Sequence, residues 1–441
     1  MFSRVIALFA LASLGTLAQA QMPRALTIEE AIQIGLENSK ILRQSASRVA
    51  YADARAAEVS AQSLPSLKVA GGYTNLSNLP PFVVSVPLPP PFPNSFTLSS
   101  TIRDNYSMRA TIQDPLFTGF RLDASKDAAD YTVEATSQDY SKDKSDLIYN
   151  IKSAYWAVFR ARELKKLADE NVAQIQAHLN DVKNLMDQGM ATTNDMLAVE
   201  VQLSNGQLNQ VDANNNVQLA LVALDNTLGI PLSTDITIAS PIADSLRHFA
   251  GLDSLIQAGL EVRPEIKGMD ARVRAGEAGV TAARAGWWPQ IFLTGNYYYA
   301  NPNPRLLPAQ AIWKDSWDVG VSVTMDIWNW GTTVHQTDEA QAQLAQARDA
   351  YSQTQDAVTL DITQAFLTLK QARERVSVSR QGMERAEENR RVTNQRYTEG
   401  LVLNSEMIDA QYALNQAKTV YTQSLVDFEL AQARLEKTIG H

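Results

Sequence analysis

The chain contains no cysteine, which excludes thiol nucleophiles, disulfide staples, zinc–thiolate centres and lipid anchors attached through sulfur. Histidine is scarce: His178, His248, His335 and His441 show no i,i+4 pairing and no nearby ligand set, so no metal site is expected. Basic residues are outnumbered, 39 against 48 acidic for a net charge of −9, and no basic stripe could neutralise phosphates, so nucleic acid is not an expected partner. A glycine-rich phosphate loop is also missing, which assigns any energy source to a partner. One S-x-x-K match, Ser141-Lys142-Asp143-Lys144, falls on a charged helical face without companion motifs; neither an enzymatic activity nor a cofactor is expected. After the first twenty residues no apolar run approaches the ~18 residues of a membrane-spanning helix. A closed β-barrel remains open to the chain, because closure pairs every backbone group.

Residues 1–20 carry Arg4, an apolar run from Val5 to Leu17, and Ala18-Gln19-Ala20, the pattern of a secretory signal peptide, with the mature chain expected from Gln21. The stretch around which the rest is organised is Arg396-Tyr397-Thr398-Glu399-Gly400-Leu401-Val402-Leu403-Asn404-Ser405-Glu406. Long proline-free helical patterns flank it, so Gly400 reads as a helix C-cap and Asn404 or Ser405 as the next N-cap, making a helical hairpin tip. Glu406 and Asp409 share one face of the new helix. Gln188-Gly189-Met190 through Asp195 repeats the design 211 residues earlier (400 − 189), with Asp195 the counterpart of Glu406.

The duplication extends further. Ile32-Gln33-Ile34-Gly35-Leu36-Glu37 recurs as Ile256-Gln257-Ala258-Gly259-Leu260-Glu261, and Pro65 as Pro289. A capping-box spacing at Thr27 and Glu30 starts a helix expected to reach about Gln62. Leu67, Val69, Gly71 and Tyr73 then alternate with polar or small residues, as do Tyr106, Met108, Ala110 and Ile112, and more clearly Trp317, Val319, Val321 and Val323, which predicts strands with one apolar face. The proline-rich stretch 76–104 reads as a long exposed loop. Val172, Ile175, Leu179, Val182 and Met186 step by coiled-coil spacing along a proline-free pattern of about 67 residues, and a second such pattern starts near Thr333.

The expected organisation is a signal peptide over 1–20; a first repeat over 21–230 with a helix, a β-hairpin at 66–114 and a long helical hairpin at 122–228; a linker over 231–250; and a second repeat over 251–441 with a helix, a β-hairpin at 290–327 and a helical hairpin at 333–439. The fold class is mainly α with a membrane β-barrel part. Four strands cannot close a barrel, which needs about eight, so several chains must share one. Trp287, Trp288, Tyr297, Tyr298, Tyr299, Trp313, Trp317, Trp328 and Trp330 gather near strand ends, as aromatics at a membrane interface do.

The signal peptide, the duplicated helix–hairpin–long helix order, the Pro115-Leu116-Phe117-Thr118-Gly119 junction and the tip pattern Tyr397, Gly400, Glu406, Asp409, Ala410 together resemble the TolC-like outer-membrane efflux channel family, over essentially the whole mature chain. The resemblance implies a homotrimer with a twelve-stranded barrel embedded in outer-membrane lipid and a helical tunnel in the periplasm. It also implies docking to a periplasmic adaptor (membrane fusion) protein and, through it, to an inner-membrane pump or ABC transporter. The chain would then be the passive exit duct for drugs, small molecules or exported polypeptides. On that resemblance Asp195, Glu406 and Asp409 form acidic rings at the pore aperture, Tyr397 ties the closed gate with Asp195 as partner, and Gly189, Met190, Gly400 and Leu401 meet the adaptor. Val402 stands where a family member has a second, arginine tie. Two blander readings run alongside: acids in a first helical turn are favoured by the helix dipole alone, and a tip glycine is a helix stop in any case. The competing class is an exported coiled-coil scaffold or adhesion protein without a channel.

Overall fold

The computed structural model describes residues 24–78, 80, 82–87, 89–93, 95–99, 102–239 and 251–440. The expected signal peptide and residues 240–250 of the expected linker lie outside them. In chain order the elements are β1 (Arg24–Leu26), α1 (Ile28–Asn38), α2 (Lys40–Ala61), β2 (Ser66–Asn75), β3 (Phe82–Ser85), β4 (Ser95–Ser99), β5 (Asp104–Phe117), α3 (Arg121–Asp187) and α4 (Thr193–Leu228). They continue as β6 (Ile236–Ile238), α5 (Leu252–Val262), α6 (Pro264–Ala283), β7 (Gln290–Asn301), β8 (Lys314–Thr324), α7 (Thr332–Thr398) and α8 (Asn404–Thr438).

Several boundaries depart from expectation for physical reasons. The Thr27 capping box forms, with the Glu30 N–H donating to Thr27 Oγ1 at 3.2 Å, but the helix it starts is broken at Ser39, which is extended at φ −60°, ψ 121°. In the second half the matching break falls at Arg263, at φ −59°, ψ 131°, where Pro264 bars its predecessor from helical backbone. Nothing local forces the break at Ser39. The proline-rich stretch is not loop throughout: β3 and β4 pair antiparallel within it, both free of proline, with Pro80, Pro87 and Pro93 confined to the connections. β5 runs on to Phe117, past the expected 114, by means of a register shift between Pro115 and Phe117 where the proline has no N–H to donate. β8 stops at Thr324, short of the expected 327.

The chain forms two compact units that draw on both halves of the sequence. One gathers residues up to 40, 145–250 and 364–437; the other 41–144, 251–363 and the last residues from 438. In the first, β1 pairs parallel with β6, and the buried Tyr155 hydroxyl donates to the Leu26 carbonyl at 2.9 Å. Leu26, Ile151, Val158, Leu224 and Leu228 of the same unit are also fully buried. The predicted seam of α3 is real: Ile175, Leu179 and Val182 are buried against Val199 of α4.

Each unit contains the same glycine seat. A Cβ on Gly35 of α1 would lie 2.4 Å from the Ile151 side chain of α3, and one on Gly259 of α5 would lie 2.4 Å from the Ile362 side chain of α7. Both isoleucines are fully buried. The repeated glycine therefore marks a close helix approach that no side chain could share.

In the second unit the four long strands form one antiparallel sheet in the order β2-β5-β7-β8. The β5–β7 pairing, with Thr111 opposite Asn296, fuses the two hairpins. β2 and β8 are left as edges.

Candidate functional site

The register places Leu67, Val69 and Tyr73 of β2, Tyr106, Met108 and Ile112 of β5, Tyr297 and Tyr299 of β7, and Trp317, Val319, Val321 and Val323 of β8 on one face of the sheet. That face is bare: Val69 is 71% exposed, Trp317 70% and Val319 65%. Single exposed apolar residues are ordinary, but a continuous apolar wall on four strands marks a surface that meets lipid or protein. Aromatics bound it at both ends. Tyr73, Tyr106, Trp313 and Tyr299 form a chain of ring contacts with centroids 5.0, 5.8 and 4.9 Å apart. Toward the helix junctions, Phe117, Phe120 and Trp288 meet edge-on at 5.3 and 5.8 Å, and Trp328 meets Trp330 at 5.7 Å. From Tyr106 to Phe117 is 11 residues (117 − 106). At ~3.3 Å per residue that is ~36 Å along the strand, or ~25 Å of depth at a barrel tilt of ~45°, the height of a membrane barrel's apolar band. Trp287 lies in the 3-10 turn before β7. Tyr298, grouped with the interfacial aromatics in the sequence, instead faces the opposite, polar side of the sheet, opposite Ser316.

The two helical tips share one backbone design. At the first, the Gly189 N–H donates to Met186 O at 2.9 Å and Met190 N–H to Leu185 O at 2.8 Å; at the second, Gly400 N–H donates to Tyr397 O at 3.0 Å and Leu401 N–H to Arg396 O at 2.8 Å. This double bond pattern ends a helix on a left-handed residue, and both glycines supply it, at φ 73° and 72°. Met190 and Leu401, 65% and 62% exposed, project beside them.

The side chains at the tips have different employment. Asp195 completes a capping box: its carboxylate accepts from the Thr192 N–H at 2.9 Å and the Thr192 hydroxyl at 2.6 Å, while its own N–H donates to Thr192 Oγ1 at 3.2 Å. The Thr192 hydroxyl, then its N–H, hold the Asp195 carboxyl below the ordinary carboxylate range. Glu406 and Asp409 are exposed and form no ion pair among the described residues. The expectation that Asn404 or Ser405 caps α8 is not met: the Leu403 carbonyl accepts from Glu406 N–H at 3.1 Å, and Asn404 is already helical.

Asn404 serves another purpose. Nearly buried, it meets His178 Nε2 through Oδ1 at 2.7 Å and donates from Nδ2 to the Asp195 carbonyl at 3.4 Å, joining α8 to α3 and α4. Because Nδ2 is the donor, Oδ1 is the acceptor and His178 carries its proton on Nε2. The His178 ring packs edge-on against Tyr397, centroids 5.2 Å apart. The expected Tyr397–Asp195 hydrogen bond is not formed within the chain, since Asp195 is engaged by Thr192. Burial first, then the charges of Asp195 and Asp181, raise the Tyr397 hydroxyl above its ordinary pKa. Gln174, His178, Asp181, Arg390, Asn394 and Gln411 line a cavity of about 120 Å³ beside this contact. The buried Gln411 donates to Gln174 and Asn415 and accepts from Arg390 Nε at 3.2 Å. His178 and Asn404 are 226 residues apart, and nothing in the sequence pairs them: Asn404 reads there only as a helix cap and His178 only as an isolated histidine.

Sequences described as "Outer membrane efflux protein" match residues 31–230 and 255–441. The chain belongs to that family. It is 25% identical over 330 residues to "Outer membrane efflux protein BepC" of Brucella suis, a match covering 73% of this chain and 71% of the relative. It is 23% identical to "Toluene efflux pump outer membrane protein TtgC" of Pseudomonas putida, covering 67% of this chain and 60% of that one. Among solved structures, the outer membrane protein VceC from Vibrio cholerae superposes with a TM-score of 0.78 at 16% identity, covering 94% of this chain and 96% of the other. A membrane protein from Pseudomonas aeruginosa gives 0.79 at 20%, covering 94% and 93%. These likenesses confirm the fold class, and membership of the outer membrane efflux protein family fixes the location as the outer membrane.

Proposed function

We propose that three copies of this outer membrane efflux protein close a twelve-stranded barrel and line a helical tunnel, the passive exit duct of a tripartite efflux or secretion system. One observation carries the reading: a four-stranded sheet whose long edge strands β2 and β8 have no outer partner among the described residues and whose apolar face is bare. In lipid, unpaired edge groups cost several kcal/mol each, so β2 of one copy must meet β8 of the next. The aromatic chains at the two strand ends suit the two membrane interfaces. Glu406 and Asp409, exposed and unpaired, are free to line an aperture and attract cations. Met190 and Leu401 suit an apolar contact with a periplasmic adaptor, through which an inner-membrane pump would couple. Both tips end on glycine, which leaves room for that approach.

The absence of native cysteine supplies the experiment. One cysteine introduced on β2 and one on β8 should join neighbouring chains into a covalent trimer in outer-membrane fractions, and a product that stays monomeric or stops at dimer overturns the closed barrel. Replacing both Glu406 and Asp409 with Ala should weaken cation preference in planar-bilayer conductance; unaltered selectivity would remove them from the aperture.

A further inference from the structure

The polar face of the sheet has an unexpected sign. Its charged strand positions are Lys68, Arg109, Lys314 and Asp318, and Arg305 reaches onto it from the β7–β8 connection. Four basic groups stand against one acidic, in a chain whose net charge is −9.

These groups are built into a network. Arg305 is fixed by the Asp318 carboxylate and by Trp317 O at 3.0 Å. The connection that carries Arg305 is itself anchored, since the fully buried Asn303 donates to Lys314 O at 2.9 Å and its Oδ1 accepts from the Arg305 N–H at 2.9 Å. Asp318 also accepts from Asn296 Nδ2 at 2.8 Å; Asn296 Oδ1 accepts from the Thr111 hydroxyl at 2.9 Å; and Thr111 Oγ1 accepts from Arg109 Nε at 2.9 Å. Between the two arginines stands Tyr298, its ring centroid 5.8 Å from the Arg109 guanidinium carbon and 4.9 Å from that of Arg305. Asp318 pairs directly with Arg305 and reaches Arg109 only as a weaker, through-space charge; Arg109 forms no ion pair among the described residues and its terminal nitrogens make no hydrogen bond there. Lys68, opposite Thr111, is its diagonal neighbour across β2 and β5. A guanidinium held by an Nε hydrogen bond beside a tyrosine ring, with its terminal donors unused, is preorganised for an oxyanion.

We propose that Arg109, supported by Lys68, is an oxyanion-attracting station on the inner wall of the barrel, which gives that part of the pore an anion preference and a contact for cargo bearing carboxylate or other oxyanion groups. This rests on the duct reading, which makes the polar face the lumen; three chains then present the station three times around one pore. Tyr298, Thr111 and Asn296 are positioning residues for Arg109.

The test is the reversal potential of the purified full-length protein in planar bilayers across a KCl gradient. The double variant Arg109→Gln, Lys68→Gln should raise the cation-to-anion permeability ratio by at least about twofold, and should do so equally in a Glu406→Ala, Asp409→Ala background. Arg109→Lys, which keeps the charge and loses the Nε bond, should return the ratio most of the way to wild type, a rescue that a merely structural role for Arg109 would not give. Conducting variants with an unaltered ratio overturn the station while leaving the duct intact. A wild-type protein that conducts nothing overturns the duct itself.

Discussion

The two hairpin tips have one backbone and two side-chain economies. Both helices end on a left-handed glycine with the same pair of carbonyl bonds, yet the acid after the first tip is consumed by its cap and the acids after the second are left free. The difference lies in who satisfies the new helix's first N–H groups. Thr192 and Asp195 do so at α4, whereas at α8 a backbone carbonyl does, which releases Asn404 to bind His178 across 226 residues. A duplicated sequence pattern thus fixes a duplicated chain path, but the fate of each polar side chain depends on what the fold brings opposite it.

If the tips share backbone and differ in side chains, glycine replacement should hurt both alike, and this is the largest effect. Gly189→Val and Gly400→Val should each cost about 2 kcal/mol of local stability, read as faster amide exchange at the tip; nothing lies within 4 Å of either glycine, so only backbone strain is involved. A marked disparity between the two would break the equivalence. Next comes Asn404→Ala, which strands His178 Nε2–H and the Asp195 carbonyl and should cost about 1–2 kcal/mol, with exchange rising in both hairpins; an effect confined to α8 would refute the cross-hairpin bond. Thr192→Ala should cost about 1 kcal/mol at the start of α4, where no counterpart exists at α8.

The pH dependence sharpens the contrast. Because Thr192 lowers the folded pKa of Asp195, its contribution is fully present above the unfolded carboxylate range and is lost as pH falls through the lowered folded value. Protection of residues 194–198 should therefore fall below about pH 4 in the wild type and stay flat across that window in Asp195→Asn; parallel curves would contradict the cap. The smallest effect belongs to Tyr397→Phe, within about 0.5 kcal/mol, because the ring contact with His178 persists and the hydroxyl makes no hydrogen bond among the described residues. A large loss on this substitution alone would reveal a tie to a neighbouring chain.

Local chemistry sufficed for much of the fold. Proline-free helical periodicity placed α3, α4 and α7 to within a residue, because a helix bonds to itself and its ends are written in Gly189, Gly229 and Gly400. Strand alternation placed the apolar face for the same reason, since successive side chains point to opposite sides whatever the partner. Where long-range packing competes with local signals, reading failed: no residue near Ser39 announces the break there, and β3 and β4 lie in a stretch that composition assigns to loop.

What the sequence by itself determined, then, is the course of the backbone: long helices, two tips and strands with one greasy side. Only the tertiary structure decided that β5 pairs β7 and joins the hairpins, that Asn404 faces His178, and that Arg109, Tyr298 and Arg305 share one stack. Those choices rest on contacts between residues far apart in the chain, whose free energy has no trace in the neighbours of either one.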